Sequence, residues 1–119
     1  MTDMLRLEEF GAERVARWGM LTADTNPLHT DMAFAATTVF GVPIVHGHLV
    51  ACSVLDAVQE KLGEDLTRGG SLTVRFLAPV PVGQTAELRW NGEDDLIQVA
   101  CVGTGQVQVE AFFSRGERR

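Results

Sequence analysis

One segment constrains the fold of this chain more than any other, an apolar stretch long enough for a helix of several turns. Residues 46–62, HGHLVACSVLDAVQEKL, contain no proline, and Gly63 supplies a stop signal directly after them. Apolar side chains occupy nearly every face of its first three turns: Leu49, Val50, Ala51, Cys52, Val54, Leu55, Ala57 and Val58. A helix that is apolar on all faces is usually buried, so the rest of the chain must cover it.

The second half of the chain supplies candidate strands. Polar and apolar residues alternate over 71–76, 85–90 and 106–113, and residues 96–102 are almost wholly apolar. The sequence Asn91-Gly92-Glu93-Asp94 is a hairpin signal, and the short turns together predict a four-stranded antiparallel meander. Residues 5–10 predict a further short strand, and residues 12–22 predict a short amphipathic helix. An α+β fold, with a curled sheet wrapped around the long buried helix, satisfies these patterns.

The composition fits one domain that binds neither nucleic acid nor membrane. The 119 residues contain no internal repeat and no Pro/Ser-rich linker, so we expect a single domain over residues 1–119. A net charge of −6 argues against sequence-independent binding of nucleic acid. No apolar run approaches the roughly 18 residues of a membrane span, and we expect no signal peptide. Cys52 and Cys101 lie in apolar segments, which indicates buried thiols in a reduced, cytoplasmic protein.

Asp24 and His29 flank a turn that can bring them together. The Asn26-Pro27 pair interrupts the helical pattern and reverses the chain, and Thr30 or Asp31 would cap a further helical turn. A carboxylate and an imidazole that share one water molecule can act as an acid–base pair. On spacing alone, ordinary turn chemistry with an uninvolved histidine is the commoner explanation.

His46-Gly47-His48 opens the long helix. Backbone N–H groups at a helix start lack partners within the helix, so a ligand oxygen could approach the N–H of Gly47, as in an oxyanion hole. The alternative is that Gly47 only permits close packing. His46 and His48 point in different directions on a helix and no complete set of ligands accompanies them, so we expect no metal. Arg68, Arg75 and Arg89 are expected on solvated surfaces, and one or two of them could meet a phosphate.

Two segments resemble the MaoC-like, (R)-specific enoyl-CoA hydratase family. They are WGMLTADTNPLHTDMAFAATTVFGVPIVHGHL at residues 18–49 and GGSLTVRFLAPVPVGQTAELRW at residues 69–90. The family shares T/S-G-D-x-N-P-L-H, then P-I-V-H-G, then F-x-x-P-V-x-x-G, in this order, and the resemblance spans about residues 10–90. It implies a hot-dog fold, a homodimer whose sheets join edge to edge, and no cofactor. It also implies the addition of water to a trans-2-enoyl thioester of CoA or acyl-carrier protein, or the reverse dehydration.

The resemblance assigns roles to residues by position. Asp24 is expected to take a proton from the reacting water, and His29 to orient that water and help deliver a proton to the α-carbon. The Gly47 N–H is expected to bind the thioester carbonyl, while Asn26 and Pro27 support the turn. The chain departs from the family pattern at Ala23, which replaces a glycine, and at Trp18, His48 and Gln84.

Two other functions remain open on the sequence. A hot-dog acyl thioesterase would share the fold but split the thioester. A non-catalytic partner subunit of a larger hot-dog assembly would keep the fold without the reaction. The paired Asp24 and His29 favour hydration over both.

Overall fold

In a computed structural model, which describes residues 2–63, 65, 69–91, 95–102 and 105–114, one strand precedes the helices and the other strands follow them. Strand β1 is Thr2–Glu9 and helix α1 is Ala12–Thr22. A 3-10 turn, Pro27–His29, and the short helix α2, Met32–Ala35, lead to the long helix α3, Gly47–Leu62. The remaining strands are β2 (Ser71–Phe76), β3 (Thr85–Asn91), β4 (Leu96–Cys101) and β5 (Val107–Ser114).

All five strands form one antiparallel sheet, in the order β1-β3-β4-β5-β2. The predicted four-stranded meander is therefore wrong in one respect. Strands β3, β4 and β5 do follow one another, but β2 crosses to the far edge and pairs with β5, so that Val74 lies opposite Ala111. The sequence periodicity gives the strands but not their neighbours, because pairing depends on which apolar faces meet in the core.

Helix α3 packs against the sheet and contacts both of its edge strands, β1 and β2. It meets β2 at its N-terminal end, where a Cβ on Gly47 would touch Phe76, and β1 nearer its C-terminal end, where Asp56 and Glu60 pair with Arg6. The observed sheet and helix confirm the predicted α+β architecture.

Helix α3 is buried mainly on one side. Leu49, Val50, Val54 and Val58 are almost completely buried, whereas Ala51, Cys52 and Leu55 remain partly exposed. The prediction of a helix covered on every face therefore holds for only part of its surface within one chain, because the sheet is not closed around it. Near its C-terminal end the exposed face carries Asp56 and Glu60, which both pair with Arg6 of β1.

The core joins the first helices to the sheet. Phe10 and Val15 pack with the buried face of α3 and with inward-facing residues of three strands: Ala86, Leu88, Ile97, Val99, Val109, Ala111 and Phe113. Cys101 is buried as predicted, Cys52 is only partly buried, and the two are not joined in a disulfide. Among the described residues, none of the helices has the length and hydropathy needed to cross a membrane.

Candidate active site

The end of helix α1 places Asp24. Ala23 ends the helix in the left-handed conformation, with φ at 59°, and the Asp24 N–H donates to the carbonyl oxygen of Gly19 at 2.9 Å. Glycine adopts such a φ without the steric cost that a Cβ incurs. The glycine that the family resemblance expects at this position would avoid that cost, where this chain has Ala23.

The Asn26-Pro27 turn brings Asp24 and His29 together. The Asn26 side-chain oxygen accepts a hydrogen bond from the Leu28 N–H at 2.9 Å, and Pro27 begins the 3-10 turn that ends at His29. As a result, the His29 Nε2 atom lies 3.9 Å from the Asp24 Oδ2 atom. Next along the chain, the Asp31 side chain caps α2 by accepting from the Phe34 N–H at 3.0 Å, one of the two predicted caps.

A hydrogen bond fixes the orientation of the His29 ring. Its Nδ1–H donates to the backbone carbonyl of Ile44 at 2.8 Å, which leaves Nε2 directed toward Asp24. The separation of 3.9 Å is too long for a direct hydrogen bond, but two atoms so placed can both lie about 2.8 Å from one oxygen. The Asp24 side chain is 52% exposed and the His29 side chain 13%, so the pair is reachable from solvent. Their chemical roles stay a prediction.

His46 is the residue of this site that the sequence analysis missed. Its side chain is 2% exposed, and its ring stacks on the His29 ring with centroids 3.7 Å apart. The Nε2–H of His46 donates to the backbone carbonyl of Asp24 at 3.1 Å. On the sequence alone, His46 is considered only as a metal ligand together with His48. The His48 ring instead stands edge-on to the Trp18 ring, with the two ring centroids 5.7 Å apart. The place of His46 directly before a buried helix was the signal that it is buried.

Gly47 is the first residue of α3 and lies in the wall of an apolar groove. Within the part of the chain that the structure describes, its N–H has no hydrogen-bond partner, as expected for the first turn of a helix. The groove, of about 360 Å³, is otherwise lined by Phe40, Ile44, Val45, Val50 and residues 76–80. A Cβ on Gly47 would meet the Phe76 ring at 3.0 Å, so only glycine leaves that ring undisturbed.

The three predicted residues do not share one cavity wall. His29 lines a different cavity, of about 600 Å³, between α1 and the segment around Pro43. His46 connects the two regions, since it contacts Asp24 and His29 and directly precedes Gly47. The structure thus places Asp24 and His29 side by side and puts Gly47 one residue from their shared neighbour.

Asp24, His29 and His46 are also the group that could hold a metal ion. One donor atom from each lies within 4.8 Å of the others. However, a ligating nitrogen must offer a lone pair, and the Nε2 of His46 already carries a proton that it donates to Asp24. The expectation that the protein uses no metal stays a prediction.

The arginines considered as phosphate ligands have acidic neighbours. Arg75 lies 4.0 Å from Glu110, and the Nε of Arg89 donates to Glu87 at 2.8 Å, while Arg68 lies outside the described residues. Both described pairs are largely exposed, so solvated surface remains the simplest explanation for them.

Comparisons with known proteins agree with the geometry. Residues 6–111 match the family model described as MaoC like domain. The chain is 46% identical over 87 residues to an (R)-specific enoyl-CoA hydratase of Aeromonas caviae, covering 68% of this chain and 62% of that protein. It is 34% identical over 93 residues to a 3-hydroxybutyryl-CoA dehydratase of Methylorubrum extorquens, covering 75% of this chain and 56% of that protein. The matched part thus spans about three fifths of each relative's length.

A solved structure shows the same fold. The (R)-hydratase from A. caviae superimposes with a TM-score of 0.73 at 28% identity, covering 95% of this chain and 92% of that chain. The match extends over nearly the whole of both chains. It therefore confirms the predicted hot-dog fold.

Proposed function

The chain belongs to the MaoC-like domain family, and on that premise we propose that it catalyses the (R)-specific hydration of trans-2-enoyl thioesters or the reverse dehydration. The observation that carries this proposal is the approach of His29 Nε2 to Asp24 Oδ2, at 3.9 Å. Gly47, the first residue of α3, directly follows His46, which contacts both of them. The names of the two relatives, a hydratase and a dehydratase of CoA thioesters, support it.

The proposed reaction begins with one water molecule held by Asp24 and His29. The carboxylate of Asp24 accepts a proton from the water while the oxygen forms a bond to C3 of the enoyl group. The electron pair of the C2–C3 double bond moves toward the thioester carbonyl, and C2 then takes up the proton that Asp24 removed from the water, which His29 Nε2 helps to deliver, so that Asp24 ends as a carboxylate again. One water is added in total, and no electrons are exchanged with any other reagent, so the proposed reaction needs no cofactor.

Gly47 has a separate role in this proposal. Negative charge develops on the thioester oxygen as the water adds, and a backbone N–H aimed at that oxygen stabilises it. The N–H lies at the positive end of the α3 helix dipole, which favours the same charge. Loss of such a donor typically lowers the rate by about 10²–10³-fold. The apolar groove beside Gly47 suits the hydrocarbon part of a substrate carried by CoA or by acyl-carrier protein.

The direct test uses crotonyl-CoA. Hydration removes the conjugated double bond, so the ultraviolet absorbance of the enone should fall, and the product should be one water heavier with the (R) configuration. A thiol-trapping reagent should detect no free CoA. Release of thiol would instead identify a thioesterase. No turnover by this chain alone with any length of enoyl-CoA, together with co-purification with a second hot-dog chain, would indicate a non-catalytic partner subunit.

We also propose a homodimer that forms through the edge strand β2. The other edge, β1, carries several charged side chains and a register shift between Met4 and Arg6, features that protect an edge from pairing. Strand β2 has one charged residue, Arg75, and no proline, and Phe76 at its end is 56% exposed. Light scattering should give about twice the chain mass of 13.0 kDa. A single species at the mass of one chain would contradict this assembly.

Two further proposals concern the chain as a whole. Residues 1–119 form one hot-dog domain, since a single core runs from Phe10 through α3 to Phe113. The protein works in the cytoplasm, because Cys52 and Cys101 are not joined in a disulfide, as expected where reductants keep cysteines reduced. Limited proteolysis that left one resistant core would support the first, and fractionation of the source cells would test the second.

A further inference from the structure

His46 has no part in the proposed proton transfers, yet it contacts both residues that carry them out. Its Nε2–H donates to the backbone carbonyl of Asp24 at 3.1 Å, and its ring lies against the ring of His29 at an interplanar angle of 27°. At 2% exposure it is enclosed by protein, whereas the Asp24 carboxylate is half exposed. The buried imidazole therefore adds a contact shared by both residues to the separate hydrogen bonds that His29 makes with Ile44 and that Asp24 makes with Gly19.

The carbonyl of Asp24 is held between two helices. On one side it receives the hydrogen bond from His46, which directly precedes α3. On the other side it lies so close to α1 that a Cβ on Gly19 would come within 2.6 Å of its oxygen. Gly19 is thus required for the close approach of this carbonyl, because any side chain there would push the Asp24 turn away from His46.

The partners of His46 define its protonation state. A backbone carbonyl only accepts hydrogen bonds, so Nε2 carries the proton. Within the described residues, the buried Nδ1 has no hydrogen-bond partner. The ionisable groups that face His46 are His29 and the Asp24 carboxylate, whose Oδ2 lies 3.9 Å from Nε2.

We infer that His46 is a positioning residue, an imidazole whose Nε2–H and ring face fix the Asp24 backbone and the His29 ring plane at the separation that the reaction needs. This inference rests on the proposed hydratase function. A misplacement of about 1 Å can cost about 10²-fold in rate, which is the scale of loss expected when this contact is removed. The loss should appear in kcat, since His46 does not line the groove beside Gly47.

The test compares two replacements of His46 with a matched control. His46→Leu keeps an apolar side chain of similar bulk but has no donor, whereas His46→Gln has an amide N–H that can donate to the Asp24 carbonyl. We expect kcat with crotonyl-CoA to fall about 100-fold in the leucine variant, with KM little changed, and to recover at least in part in the glutamine variant. His48→Leu, two residues away on an exposed position, should keep the wild-type kcat. Equal kcat in the two His46 variants, or a change confined to KM, would overturn the inference.

A second measurement needs no variant and no activity. Nitrogen-15 NMR of the histidine rings at pH 7 should show His46 protonated at Nε2 and bare at Nδ1. A ring that carries its only proton on Nδ1 would contradict the positioning role even if the enzyme is active. Conversely, the expected tautomer in a wild-type protein without hydratase activity would refute the proposed function, and with it the catalytic consequence of His46.

Discussion

Replacing Asp24 by asparagine removes the proposed base while keeping the shape of the side chain. The carboxylate is 52% exposed, and its two imidazole neighbours lie 3.9 Å away, beyond direct hydrogen-bond distance. A surface change of this kind usually alters the free energy of unfolding by no more than about 0.5 kcal/mol. For a chain of this size the Tm should therefore move by about 1–4 °C at most.

The effect on the reaction should be much larger. A positioned general base contributes about 10²–10⁴-fold, and an amide cannot accept the proton from water. We expect kcat for crotonyl-CoA, followed by the loss of enone absorbance, to fall by that factor in Asp24→Asn, which corresponds to about 3–5 kcal/mol in the activation barrier.

Asp31→Asn provides a matched control for this prediction. Asp31 is also an exposed aspartate, and its Oδ1 caps α2 by accepting from the Phe34 N–H at 3.0 Å. Asparagine caps helices about as well as aspartate, so this variant should keep both its stability and its kcat. If Asp24→Asn retained more than about a tenth of wild-type kcat, Asp24 would not be the base, because even the low end of general-base catalysis exceeds that factor.

Three smaller predictions follow from other parts of the structure. Ala23→Gly should raise the free energy of unfolding by about 0.5–1 kcal/mol. The reason is the positive φ of Ala23, 59°, a conformation that costs a residue with a Cβ about 1–2 kcal/mol; a lower Tm in the variant would contradict this. Burial raises the pKa of the Cys101 thiol above its ordinary value, so iodoacetamide should modify the partly exposed Cys52 first in the native protein. Peptide mass mapping would show the order of modification, and faster reaction at Cys101 would be inconsistent with its burial. Dialysis against EDTA should leave hydratase activity unchanged, and loss of activity that Zn²⁺ restores would assign Asp24, His29 and His46 to a metal instead.

Local patterns in the sequence predicted most of the secondary structure. The proline-free apolar run that ends at Gly63 became α3, and the period of two became β2, β3 and β5, because both patterns depend on neighbours along the chain. The position of β2 beside β5 was not predictable in this way. It depends on how the segment after Phe76 crosses to the next strand, which no local pattern encodes.

The candidate site was predictable only in part, for the same reason. The Asn26-Pro27 turn is local chemistry, so the convergence of Asp24 and His29 could be anticipated. The contact of His46 with Asp24 joins residues 22 positions apart, and the approach of Phe76 to Gly47 joins α3 to a strand. Neither is visible before the helix and sheet are packed together.

The central claim is spatial, and a crystal structure with butyryl-CoA, the saturated and unreactive counterpart of crotonyl-CoA, tests it most directly. We predict that the thioester oxygen lies about 2.7–3.1 Å from the Gly47 nitrogen and that C3 faces the space between Asp24 Oδ2 and His29 Nε2. A bound thioester whose carbonyl points away from Gly47, or whose C3 lies on the far side of the groove from Asp24 and His29, would contradict the account.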